Sequence, residues 1–219
     1  FLSGAAALVY QVAWQRLLAL HSGVGLYSVA MIVAAFMAGL GIGSHLGGRL
    51  STRLDGRGAL GAFAALEIAV SAFGAASTWI YYDWLYPWAV HLPSPSWQAG
   101  LLHLVALLPP TTLMGMSLPY LVRAVVTDVE GAGRRIGWLY GVNMLGAAAG
   151  ALATPWVLLP ALGVRGAVLA AAGANLAVGL GALGLFTLRK DSPAAPVAPA
   201  EVPVPPPGAE RPGNRPLAL

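Results

Sequence analysis

Six apolar runs separated by short polar connections make up most of this 219-residue sequence. The first extends from Phe1 to about Leu20; its start inside an apolar run, without a basic leader, reads as the trimmed beginning of a helix rather than a signal peptide. The second covers Val24 to Leu50, the third Ala59 to about Leu85, and the fourth Trp97 to Val126. The fifth extends from Gly137 to about Leu159 and the sixth from Val164 to Leu188. Each reaches the length of about 20 mostly apolar residues that a helix needs to cross a hydrocarbon core. The pattern predicts an all-α, polytopic membrane protein with six transmembrane helices in residues 1–190. From Asp191 it stops: nine of the 17 prolines fall in the last 29 residues, among Ala, Val, Glu and Gly, so 191–219 reads as a disordered tail or linker.

Composition narrows the class. The chain is 58% apolar and 9% charged, against roughly 25% charge in water-soluble domains. That is too little polar surface to clothe a soluble globule, and the expected partner is a lipid bilayer. There is no cysteine, which excludes thiolate metal or redox centres, and the four histidines are not at metal-ligand spacing, so neither metal nor cofactor is expected. The excess of Lys and Arg has no aromatic-interleaved basic face of the kind that binds nucleic acid.

The excess of positive charge reads instead as topology. Arg49, Arg53 and Arg57 follow the second run, Arg123, Arg134 and Arg135 follow the fourth, and Arg189 and Lys190 end the sixth; the alternate connections carry only Arg165. By the positive-inside rule both termini are cytoplasmic and the location is the inner, or plasma, membrane. Tyr81, Tyr82, Trp84, Tyr86, Trp88 and Trp97 gather at the opposite end, where amphipathic rings settle at headgroup depth.

Within the runs, Gly39, Gly43 and Gly47 recur at four-residue spacing, and so do Gly146 and Gly150; small residues on one face let helix backbones approach in lipid. Pro109 and Pro110 predict a break in the fourth helix near Leu108 to Thr112, a feature that either bends a helix or lines a solute path. Polar side chains at membrane depth are costly and mark candidate pathway residues. These are Gln11, Gln15 and Arg16 in the first run, Glu67 in the third, His103 in the fourth, Asn143 in the fifth and Asn175 in the sixth. Arg16 also has the reach to snorkel to the interface. His103, Asn143 and Asn175 equally suit interhelical hydrogen bonds. Glu67 is the first candidate for a functional ion, able to hold a cationic amine or a proton.

The connection Gly48-Arg49-Leu50-Ser51-Thr52-Arg53-Leu54-Asp55-Gly56-Arg57 resembles the loop signature of major facilitator transporters, with Gly48, Arg53, Asp55 and Arg57 as its elements and Asp55 displaced. Further segments extend the resemblance: Ser3 to Leu18, Ala35 to Ser44, Leu66-Glu67, Leu108-Pro109-Pro110-Thr111-Thr112-Leu113-Met114-Gly115 and Gly137 to Ala147. Together they are similar to the membrane region of the bacterial fused major-facilitator/spermidine-synthase family, over residues 1 to 188. The resemblance implies a half-transporter-like bundle followed by an aminopropyltransferase-like domain. After Lys190 the sequence has no nucleotide-binding Gly-rich loop and no paired carboxylates to deprotonate a diamine, so no catalytic residue is assigned.

Two functions remain. One is a membrane module that transports or presents a small cationic metabolite such as a polyamine, pairing with a second copy or another helical bundle. The other is a non-transporting anchor for an aminopropyltransferase-like domain. An intramembrane enzyme would have only Glu67 and His103 as an acid–base pair.

Overall fold

The apolar runs become helices with few interruptions. A computed structural model describes residues 1–22, 26–85, 87, 96–126, 128 and 130–188. Among them are six α-helices: α1 (Leu2–Ser22), α2 (Leu26–Ser51), α3 (Gly56–Thr78), α4 (Ser96–Val125), α5 (Ala132–Ala153) and α6 (Leu159–Leu188). α3 and α5 are prolonged by π-helical turns, Trp79–Leu85 and Thr154–Leu158. No strand occurs among the described residues. The Pro-rich tail lies outside them, so its expected character stays a reading of sequence. Four stretches are long and apolar enough to cross a bilayer: Val29–Ser51, Gly56–Leu85, Leu101–Val125 and Ala132–Leu188. The last holds two helices, because Gly163, at φ 66° and ψ −178°, interrupts α6 near its start. That conformation is open to glycine and strained for residues with a Cβ.

The helix partners follow from small residues. On α2, a Cβ at Gly39 would meet the Thr111 side chain, one at Gly43 the Thr112 carbonyl, and one at Gly47 would lie 2.8 Å from Met116 Cα. On α1 and α5, Gly4 abuts Asn143, Gly146 the Phe1 carbonyl and Gly150 the Ala5 carbonyl. The α2–α4 and α1–α5 pairs are therefore parallel and backbone-close. α3 contributes the other register: Ser71 Oγ donates to the Ala172 carbonyl at 2.7 Å, and Gly179 lies where a Cβ would be 3.1 Å from the Ala64 carbonyl, an antiparallel α3–α6 pair. With α3 also antiparallel to α4, successive helices alternate in direction.

The packing repeats internally. The contacts of Gly43, Gly47 and Gly115 along α2–α4 recur, at constant shifts in number, as those of Gly146, Gly150 and Gly4 along α5–α1. A shift of 108 carries Glu67 onto Asn175, its own hydrogen-bond partner. The same shift carries Ser71 onto Gly179 and Ala64 onto Ala172, which exchanges one α3–α6 contact for the other. Helices α1–α3 thus map onto α4–α6 in reverse direction, with residues 67 and 175 on the exchange axis.

One end of the bundle collects the basic residues. Arg123 Nε donates to the Leu54 carbonyl at 3.0 Å, and the Arg57 guanidinium lies 4.9 Å from the ring centre of Phe186, near the end of α6. Asp55 caps α3 by accepting from Gly58 N at 2.8 Å. Towards the other end of α3, Trp84 is 70% exposed and Trp79 and Tyr82 are exposed too, whereas Tyr81 is 2% exposed and belongs to the core rather than to an aromatic belt. Tyr86 and Trp88 lie outside the described residues, as does the side chain of Trp97. Leu101, Val105, Leu145, Leu152, Trp156 and Leu180 are exposed along the helix flanks, which suits lipid contact.

The fourth helix, expected to be kinked or broken near Leu108 to Thr112, is not broken: α4 continues through Pro109 and Pro110. The reason is a donor from another helix. Pro110 cannot bond the Ala106 carbonyl four residues back, and Tyr81 Oη donates to that carbonyl at 2.8 Å. Thr111 Oγ1 adds a bond to the Leu107 carbonyl at 2.6 Å. The Ala106 carbonyl freed by Pro110 is thus resupplied by a side chain from a neighbouring element. Tyr81 is held in turn by Trp14 and Phe73, ring centres 6.0 and 6.2 Å away.

Two sets of variants test this packing. Gly43→Leu and Gly146→Leu are each expected to lose about 1–3 kcal/mol of stability in detergent unfolding, through overpacking against backbone that cannot yield. Gly41→Leu and Gly48→Leu, with nothing within 4 Å of a Cβ, should unfold like the parent. Tyr81→Phe should cost about 0.6–2 kcal/mol, the range for a hydrogen bond between membrane helices. It should also raise amide hydrogen exchange around residues 106–112 without changing helix content by circular dichroism.

Candidate functional site

Glu67 stands eleven residues into α3 on its inward face, 1% exposed. Its oxygens are claimed by two other helices: Ser3 Oγ of α1 donates to Oε1 at 2.7 Å and Asn175 Nδ2 of α6 donates to Oε2 at 2.6 Å. The register that brings them together is set nearby. Trp14 Nε1 donates to Ser77 Oγ at 2.8 Å and fixes α1 alongside α3, while the Ser71–Ala172 bond fixes α6. Tyr10 stacks on Trp14 with ring centres 4.7 Å apart and fills the space against Gly74.

The carboxylate borders a cavity of 560 Å³, within the range of small-molecule sites. Gln11, Asn143 and Asn175 line it, with Ser3 and Ser117 beside Glu67, and Phe36, Leu60, Phe63 and Met114 form part of its apolar wall. Four sequence candidates, Gln11, Glu67, Asn143 and Asn175, therefore meet at one place. The other three do not line it. Arg16 is exposed and Gln15 half-buried on α1. His103 is buried, with Nε2 3.3 Å from the Leu18 carbonyl. Leu18 lies fifteen residues along α1 from Ser3, about 22 Å at helical rise, so Glu67 and His103 are not an acid–base pair. No group of three His, Asp or Glu able to hold a metal occurs among the described residues.

Ser3 and Ser117 were not singled out from sequence. A serine in an apolar helix is an ordinary residue, and the available signal was spacing: Ser3, Ala7 and Gln11 recur every four residues on one face of α1 and all line the cavity. The loop elements lie elsewhere. Arg53 and Gly48 are exposed at the basic end, Asp55 serves as the α3 cap, and Arg57 covers Phe186. Pro109 and Pro110 sit within α4 and do not line the cavity.

The site is a buried carboxyl group whose hydrogen bonds come from neutral side-chain donors. Among the described residues no cationic side chain pairs with Glu67, and a charge so placed calls for a compensating cation or proton.

Comparison with known proteins gives one consistent direction. The chain is 32% identical over 190 residues to a polyamine aminopropyltransferase of Mycobacterium tuberculosis, 84% of the chain and 34% of that protein. It is 31% identical over 180 residues to a polyamine aminopropyltransferase of Corynebacterium efficiens, 80% of the chain and 32% of that protein. It is 29% identical over 192 residues to polyamine aminopropyltransferase 2 of Streptomyces coelicolor, 82% of the chain and 33% of that protein. No family model matches the chain, and no solved structure matches it. The chain spans about a third of the length of the curated relatives it matches, and over that third it is similar to polyamine aminopropyltransferases.

Proposed function

We propose that the chain is the membrane-spanning part of a polyamine aminopropyltransferase-like protein, and that its cavity holds a small cationic metabolite of the polyamine class, to transport or present it. The observation that carries this reading is Glu67: a carboxylate 1% exposed, bonded by neutral donors only, at the edge of a 560 Å³ space. A diamine or triamine would supply the missing positive charge and lay its methylenes along the apolar wall. In this reading all six helices cross the bilayer and the arginine-rich end faces the cytoplasm, following the positive-inside rule. A six-helix unit with this inverted packing is half of a transporter-like assembly, so the partner is a second copy or another bundle around the same midplane.

The length of the relatives favours a second reading, in which the bundle anchors an aminopropyltransferase-like domain and its polar groups serve only as interhelical bonds. The two differ in ligand binding. In lipid nanodiscs, spermidine should bind the parent chain, and Glu67→Gln should weaken binding at least tenfold by isothermal titration. Proteoliposomes should also take up labelled spermidine in a Glu67-dependent way if transport is the role. Unchanged affinity in Glu67→Gln overturns the cation site; absent binding and absent flux in the folded parent leave the anchor.

A further inference from the structure

Beside the carboxylate the cavity carries hydrogen-bond acceptors that have no donors. With Glu67 ionised the carboxylate only accepts, so the amide of Asn175 turns its NH₂ towards Glu67 and Oδ1 is left as the remaining acceptor. That oxygen is buried without a hydrogen-bond partner, in a residue 3% exposed. Gln11 Oε1, on α1, is likewise buried and unpaired, and Gln11 lines the same cavity. Buried polar atoms are nearly always satisfied in native structures, and an orphaned acceptor at a cavity wall points to a ligand that donates. The two residues reach the cavity from different helices, and both line it together with a carboxylate whose own donors are already in place.

We propose that this cavity selects cations by their N–H bonds: Glu67 supplies the charge, and Asn175 Oδ1 and Gln11 Oε1 accept from a primary or secondary ammonium. The inference rests on the cation-binding reading above and sharpens it to a chemical class. A primary ammonium brings three donors in a compact head, matching three acceptors of this kind. A quaternary ammonium brings the same charge with no donor, and its methyl groups would bury the two amide oxygens unpaired. Discrimination of this sort, in which a polar site rejects a ligand lacking the matching group, is the strong form of selectivity.

The experiment compares two dications of equal charge and backbone, putrescine and its hexamethylated bis-quaternary analogue, titrated into the full 219-residue chain in lipid nanodiscs. Putrescine is expected to bind at least tenfold more tightly. Gln11→Leu leaves Ser3, Glu67 and Asn175 intact, so it should weaken putrescine several-fold and, by removing one unpaired oxygen, bind the analogue no less tightly than the parent does; Gln11→Glu, which retains an acceptor, should restore the preference. Equal affinity for both dications overturns this inference and leaves the cation site standing. Binding of neither overturns both. Undiminished preference in a folded Gln11→Leu removes Gln11 from the proposed recognition and overturns the three-acceptor site.

Discussion

A single carboxylate organises the centre of this bundle. Glu67 cannot be buried in a low-dielectric interior unless its oxygens are met, and the groups that meet them come from helices at opposite ends of the sequence, Ser3 on α1 and Asn175 on α6. Satisfying that one group fixes the register of three helices at once. The neighbouring bonds, Trp14 to Ser77 and Ser71 to the Ala172 carbonyl, agree with the same register rather than competing with it. The cavity is a result: where an acidic residue and two amides converge among Leu and Phe side chains, close packing is incomplete.

Around this centre the rest of the association is steric. Small residues let helix backbones approach closely, and the two parallel pairs are held by backbone approach along glycine faces, α2 on α4 and α5 on α1. The same device appears twice because the first three helices and the last three pack as copies of each other in reverse. α4 survives its paired prolines because Tyr81 donates from α3 where the helix itself cannot.

Much of the secondary structure was legible in the sequence, since long apolar runs bounded by polar connections mark helices that a residue count detects. The six runs correspond to observed helices and the interruption before Val164 to the break at Gly163, while of the basic groups Arg134 and Arg135 fall within α5 and Arg189 and Lys190 lie outside the described residues. What was not legible depends on two elements at once. Pro109 and Pro110 predict a break by the arithmetic of one helix, and only the position of Tyr81 on another reverses it. Tyr81 itself sits in an aromatic-rich stretch that reads as a headgroup belt, yet within the π-helical turn it points inward while Trp84 does not. The candidate polar residues were identifiable one by one, but which of them share a cavity depends on how helices meet along their length: Gln11 lines the cavity with Glu67, whereas Gln15, one turn further along the same face of α1, lies beyond it. Ser3 and Ser117 carried no signal beyond spacing. The repeat is masked because its halves keep the glycines and little else.

The exchange axis through residues 67 and 175 has a consequence for how the chain can change over time. The two positions are structurally equivalent and touch, so a substitution at one changes the polar balance at the other. Two carboxylates there would face each other at hydrogen-bond distance and could not both ionise, and two amides would leave the midplane without charge. The pair Glu and Asn keeps one negative charge and one complementary donor, and exchanging the two residues would preserve both. Charge and donor at the centre of the bundle are therefore set jointly by this pair rather than by either residue alone.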